Sequence, residues 1–219
     1  MKGVYSGEGA AGRPVLLVLT EHDFDPEPDL ERQKLTIHRY ATCLEDMSVS
    51  DDTVVFLHTA SDADLVHSFF LNELQEGFEI NFLNVHSNIG PGGLLKLLPP
   101  GINGNVMLVN VADFRRELDI SRLVSTHIES EAKLSFVTAM PIHERDKYEF
   151  VVDARDAVTR IRIAVGNQHR VSVGVYLIST ELIHLISDGI HVSMTDLFLT
   201  ARRAGQKVLA IESGSALSC

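Results

Sequence analysis

Four short strand-like runs spaced through the first half of the chain most constrain its fold. They are Val15-Leu16-Leu17-Val18-Leu19, Thr53 to Leu57, Phe78 to Leu83 and Val106 to Val111. The first is apolar throughout, as expected of a strand covered on both faces. Between the first two, Ile37, Tyr40, Ala41 and Leu44 recur at helical spacing. Between the second and third, Ser61 stands where it would cap a helix carrying Leu65, Val66, Phe69 and Phe70. This β-α-β-α rhythm favours parallel strands joined by right-handed crossovers.

The stretch from Ile80 to Leu123 adds chemistry to the pattern. It predicts a strand, the glycine loop Ile89-Gly90-Pro91-Gly92-Gly93, a short helix, the fourth apolar run, and then Asp113. A carboxylate just past a buried strand stands where open α/β sheets bind ligands. Glycines allow a backbone to approach a flat ligand closely, because no Cβ intervenes. Either piece alone is equally well read as a turn or a solvated carboxylate.

Beyond Asp113 the pattern changes. Leu134 to Val137 predicts a strand, Phe150 to Val152 with Val158 to Ile161 a hairpin, and Val171 to Ile178 a long strand. Two short helices are expected near Leu182 and Leu197. No internal repeat, low-complexity tract or linker interrupts the chain.

Together these segments resemble the sugar-nucleotide pyrophosphorylases, the nucleotidyltransferases that act on sugar 1-phosphates. The family's Leu-Gly-Thr-Ala-Gly loop is similar to Ile89-Gly90-Pro91-Gly92-Gly93, which keeps the glycine frame and lacks the threonine. Its Asn-Gly-Asp strand end resembles Val111-Ala112-Asp113, where only the aspartate is kept, and its Asp-Leu-x-x-Leu continuation resembles Leu118 to Leu123. The family's Asn-Ala-Gly-Ile-Tyr looks like Ser172-Val173-Gly174-Val175-Tyr176. The likeness is diffuse but collinear from about Lys34 to about Gln206.

The resemblance implies a three-layer, Rossmann-like mixed sheet of the glycosyltransferase-A-like nucleotidyltransferase type. It implies nucleotide binding at Gly90, Gly92 and Gly93, sugar binding at Gly174 and Tyr176, and Mg2+ at Asp113 if the protein is active. The ligand would be a nucleotide or sugar phosphate, and a partner protein or a homo-oligomer could complete the site.

In-line transfer to a sugar phosphate builds charge on phosphate oxygens, so such a site needs a metal and basic groups. Here the chain departs from the family. Gly7 to Arg13 supplies glycines and an arginine, but matching the family's phosphate loop would make Lys2 to Ser6 the first strand. Val15 to Leu19 is the better core strand. That alignment makes residues 1-13 a flexible N-terminal arm and 14-219 a single domain. Pro26-Glu27-Pro28 stands where the family has Pro-Lys-Pro, within an acidic segment from Glu21 to Glu31. A carboxylate beside a triphosphate costs roughly 1 to 4 kcal/mol per charge pair. Arg160 and Arg162 occupy the region of a second family lysine, on one strand face. The chain has no tryptophan and ends without the family's Trp-x-Asp-Ile-Gly-Thr segment, so Asp113 lacks its usual carboxylate partner. These departures fall on catalytic positions, and no catalytic residue is assigned. The expectation is a relative that kept the scaffold and lost or altered turnover; the alternative is an active Mg2+-dependent transferase using Asp113.

Composition excludes other classes. A net charge of −11 argues against a nucleic-acid surface. No apolar run reaches bilayer length, and the first residues are too polar for a secretory signal, so a cytoplasmic protein is expected. Cys43 and Cys219 read as reduced thiols. His86, His127, His143, His184 and His191 form no His-x-x-x-His pair and read as satisfied or surface groups.

Overall fold

The computed structural model describes residues 16–20, 30–46, 54–58, 79–83, 89–114, 118–139, 148–152, 157–163, 170–187 and 191–213. The expected arm 1-13, the acidic segment up to Asp29, the helix expected from Ser61 and the histidines at 86 and 143 lie outside these residues.

Nine strands and four α-helices are described. The strands are β1 (Leu16–Thr20), β2 (Val54–His58), β3 (Glu79–Phe82), β4 (Asn105–Asn110), β5 (Leu134–Ala139), β6 (Tyr148–Val152), β7 (Val158–Ile163), β8 (Val171–Ser179) and β9 (Val208–Glu212). The helices are α1 (Leu30–Asp46), α2 (Gly90–Leu94), α3 (Ile120–Glu129) and α4 (Met194–Arg203), with 3-10 turns at Leu95–Leu97 and Thr180–Leu185. Seven strands form one mixed sheet in the order β3-β2-β1-β4-β8-β5-β9, and β6 pairs with β7 in a separate antiparallel hairpin. Strands β1 to β4 are mutually parallel, as the alternating pattern predicts, and β9 is parallel to β5. β8 is inserted antiparallel between β4 and β5.

Strand alternation gives the sheet two apolar faces, and each carries its own core. On one face Val55, Leu57, Met107, Val109, Val175 and Leu209 pack with Tyr40, Cys43 and Leu44 of α1 and Leu123 and Val124 of α3. On the other, Val54, Phe56, Leu108, Phe136, Tyr176 and Ala210 pack with Leu95, Leu98, Leu197 and Phe198, and with Phe150 and Val158 of the hairpin. Phe198 stacks on Phe136 with centroids 4.6 Å apart, and Phe150 meets the same ring edge-on at 4.6 Å. Such aromatic pairs contribute about 0.5–1.5 kcal/mol each beyond their buried area.

The helix ends are fixed by local chemistry. Asp119 accepts from the Arg122 amide at the start of α3. Ser193 and Asp196 form a reciprocal capping box on α4.

The sequence reading needs three corrections here. The glycines do not precede the short helix but form its first turn, Gly90 entering it at φ 71°. Helix α3 and strand β9 were not expected at all. Among the described residues no helix is long and apolar enough to cross a membrane.

Candidate functional site

Strand order places the crevice. From β1 the chain steps outward to β2 and β3, whereas β4 lies on the opposite side of β1, so the topological switch falls between β1 and β4. Open α/β sheets bind ligands outside the carboxyl ends of the strands at such a point. Thr20 and Asn110, the last residues of β1 and β4, are register partners there.

On the face covered by α2 and α4, the apolar rows end in a continuous polar belt along this edge. His58 pairs with Thr20 and Thr20 with Asn110; beyond β8's bend, Ser172 pairs with Thr138 and Thr138 with Glu212. Thr20, Asn110 and Thr138 are almost fully buried, at 2%, 3% and 0% exposure. Buried polar groups are costly unless bonded, and these are bonded. Thr20 Oγ1 lies 3.1 Å from His58 Nδ1, and Thr138 Oγ1 donates to the Ile211 carbonyl at 3.3 Å. Arg170 pairs with Glu212 at 2.5 Å at the far end.

Asp113 follows Asn110 at the centre of this edge and is exposed. Asn110 holds it. Its amide nitrogen donates to Asp113 Oδ2 at 2.6 Å, its side-chain oxygen accepts from the Ala112 amide at 3.2 Å, and its carbonyl accepts from the Asp113 amide at 3.1 Å. The Val111 amide donates to the Thr20 carbonyl at 2.9 Å, tying the turn to β1. From the opposite side Gly174, at φ 77°, presses on the turn. A Cβ there would lie 2.8 Å from the Asn110 carbonyl oxygen and 2.8 Å from Asp113 Cβ. Two expected site residues, Asp113 and Gly174, are therefore in direct contact.

Tyr176 follows Gly174 on the same strand but points its ring into the core, against the stacked pair of Phe136 and Phe198. Burial pushes its phenol above the ordinary value; a hydrogen bond with the Ser172 side chain works against this and the Asp113 charge adds to it. Tyr176 thus lies beneath Asp113 and is buried.

The glycines of α2 meet their own chain. A Cβ on Gly90 would lie 2.5 Å from the Val192 carbonyl oxygen, and one on Gly92 3.0 Å from it. The Gly92 amide donates to that oxygen at 2.9 Å, and the Val192 amide donates to the Ile89 carbonyl at 2.8 Å. These glycines allow α2 to seat against the entry to α4. Gly93 faces Ile89.

Two histidines are held neutral, His127 buried and His58 partly buried. Burial lowers His58 to about 4. Burial, with Lys133 adding to it, lowers His127 to about 4. His127 bonds Ser135 Oγ at 2.8 Å and Asn105 Oδ1 at 3.1 Å, which looks like a Ser-His-Asn relay. Ser135 has no exposed surface, so the chain of bonds joins α3, β5 and β4 and offers no nucleophile. A cleft of about 560 Å³ beside it, also lined by Lys133, Thr180 and Glu181, lies at the amino ends of β4 and β5, the edge opposite Asp113. Its polar groups are bonded to one another, Lys133 to Glu181 at 2.8 Å and Thr180 to the Gly104 carbonyl at 3.1 Å.

Sequence reading missed Thr20, His58, Asn110, Thr138 and Glu212. The signal was present in the sequence: strands β1, β2, β4 and β9 each run apolar and then end on a polar residue at the same edge. The side chains of Arg160 and Arg162 lie outside the described residues, and the described residues hold no group of three or more His, Cys, Asp or Glu fit for a metal.

No family model matches the sequence, and no curated protein does. Solved structures do match. HddC from Yersinia pseudotuberculosis in complex with GMP-PN superposes with a TM-score of 0.67 at 16% identity, covering 90% of this chain and 89% of that one. HddC from the same organism without that ligand gives 0.65 at 15% identity, with the same coverage. The inositol-1-phosphate CTP transferase from T. maritima gives 0.61 at 12% identity, covering 91% of this chain and 86% of that one. The chain has the α/β fold of these proteins. A mixed sheet in an α/β fold was expected and is found, and identities this low show the fold alone.

Proposed function

We propose that this protein is a divergent member of the sugar-1-phosphate nucleotidyltransferase group that binds a nucleotide or sugar phosphate at the Asp113 edge, with turnover lost or altered. The observation that carries the reading is the placement of Asp113. On a fold shared over nine tenths of the chain with HddC, crystallised with GMP-PN, and with a CTP transferase, a pinned carboxylate closes β4 at the switch point. The fold reading is the three-layer, glycosyltransferase-A-like one, with helices over both sheet faces. In this reading the nucleotide would approach the backbone of the α2 turn, whose Gly90 and Gly92 are themselves packed on Val192, and the sugar would lie at the Gly174 bend.

A single exposed carboxylate suits Mg2+ of the substrate-borne kind, which takes one or two carboxylates and completes its shell with phosphates and water. When bound, that ion would neutralise charge on the transferring phosphate. Asp113 would hold it, oriented by Asn110. Altered turnover is inferred from the sequence departures, chiefly Glu27 in place of lysine. The placement of Asp113 carries the binding part of both readings; the second keeps turnover, as an active Mg2+-dependent transferase using Asp113. The reading places the protein in the cytoplasm, and a partner chain or a second copy would complete the site.

The experiment is a thermal-shift screen of nucleoside triphosphates and nucleotide sugars with and without Mg2+, coupled to a pyrophosphate-release assay with sugar 1-phosphates. A Mg2+-dependent shift lost in Asp113→Ala, without pyrophosphate release, is the expected result. Release abolished by Asp113→Ala establishes the active reading. The absence of any nucleotide response defeats both.

A further inference from the structure

The polar belt extends past Asp113 toward the strand that leads into α2, and its end there is built around a histidine. His58 closes β2 and is partly exposed at the edge. Thr20 Oγ1 braces its Nδ1 at 3.1 Å, and the hydroxyl of Tyr40, a fully buried residue, donates to its backbone carbonyl. Among the described residues no group bonds Nε2, the other ring nitrogen. The position is well fixed, since ladder, Thr20 and Tyr40 hold it from three directions.

We infer that His58, braced by Thr20, is a specificity residue that hydrogen-bonds the nucleoside part of the bound nucleotide through Nε2. This deepens the proposed function and rests on it. Three observations select the nucleoside over the phosphates. The order β3-β2-β1-β4 sets His58 on the β3 side of the switch point, two strand spacings from Asp113, roughly 10 Å. Charge on the ligand belongs near Asp113 and its metal. The partly exposed imidazole is neutral, so it offers an uncharged edge a directional bond and a phosphate no countercharge. Preorganisation by Thr20 and Tyr40 lowers the ordering cost of that bond.

The test measures binding by calorimetry for wild type, His58→Leu, His58→Asn and Asp113→Ala. The probes are the nucleoside triphosphates with Mg2+, the matching monophosphates without metal, and Mg2+-tripolyphosphate, which has no nucleoside. His58→Leu should weaken the preferred triphosphate and its monophosphate about tenfold each, the loss of one well-made hydrogen bond with a partner left unsatisfied. It should leave tripolyphosphate unchanged, and His58→Asn, which keeps a polar edge, should recover part of the loss. Asp113→Ala should show the converse pattern. Equal affinity of wild type and both folded His58 variants overturns the inference while leaving the proposed function standing. Equal loss of tripolyphosphate binding overturns it too, by showing a general disturbance of the edge. If wild type binds no nucleotide, the proposed function and this inference fall together. Should His58→Leu fail to fold, His58→Asn and Thr20→Val decide the same question.

Discussion

Gly174→Ala tests the geometry of the candidate site most directly. Gly174 sits at φ 77°, a left-handed conformation that costs a non-glycine residue about 1–2 kcal/mol. The added methyl would also lie 2.8 Å from the Asn110 carbonyl oxygen and 2.8 Å from Asp113 Cβ. Neither neighbour is the free end of a flexible side chain; both belong to a turn closed by three hydrogen bonds from or to Asn110. Overpacking against such a wall costs about 1–3 kcal/mol, so the total is about 3 kcal/mol. In a chain of this length that lowers Tm by about 6–12 °C. Gly205→Ala provides the control, because Gly205 has φ 75° with nothing within 4 Å of an added Cβ. It should lose only the backbone part, about 1 kcal/mol. Urea unfolding of the two variants therefore isolates the contact contribution as their difference, about 2 kcal/mol. Equal destabilisation by both would refute the claim that β8 presses on the Asp113 turn. The same Gly174 variant should also lose any Mg2+-dependent nucleotide shift at a temperature where it remains folded, because the turn must move to admit the methyl.

Two further outcomes follow from the site and its surroundings. His58 and His127 are held at about 4 in the folded chain, below the ordinary 6.5. The unfolded chain therefore takes up protons first as pH falls: stability is full above about 6.5 and declines toward 4, by about 2 kcal/mol per histidine between pH 7 and 5. Urea midpoints across that window should show the slope, with about half of it lost in His127→Asn; a flat wild-type profile would contradict the burial of both rings. Asn110→Ala should cost about 1–3 kcal/mol, since it leaves the Ala112 amide and Asp113 without its side chain. It should also weaken Mn2+ binding in the presence of nucleotide several-fold, measured by the paramagnetic signal of the free ion; undiminished binding would show that Asp113 needs no bracing.

Much of the scaffold was legible because burial writes itself into short apolar runs. The runs ending at Leu19, Leu57, Leu83 and Val111 fall within one or two residues of β1 to β4. Helix α3 was not legible because Ser121, Arg122, Ser125 and Thr126 dilute its apolar stripe, which buries only Leu123, Val124 and His127. Strand β9 was not, because Val208 to Ile211 is a brief run beside Arg202, Arg203 and Lys207. At the site, Asp113 could be singled out because it follows a buried strand, and Gly174 because it precedes an aromatic. The polar residues that end the runs at Thr20, His58 and Asn110 are a local signal, but joining them with Thr138 into one belt required the register of five strands. The glycines of α2 show the reverse problem. Their composition suggested closeness to a ligand, while the space their missing side chains leave at Gly90 and Gly92 is taken up by Val192.

The antiparallel insertion of β8 also bears on how the chain reaches this state. β4 and β5 both lie in the sheet interior, yet their shared neighbour is made some thirty residues after β5 ends, and β9 later still. Until Val171 to Ser179 has been synthesised, the parallel half presents β4 as a raw edge of Val106, Met107, Leu108 and Val109, an apolar row with unpaired amides and carbonyls. Such an edge is a template for pairing with another chain, and its long-range closure is intrinsically slow. The strand that bends at Gly174 to meet Asp113 is therefore also the keystone of assembly, so the nascent chain acquires its ligand edge and its protection from aggregation in the same step.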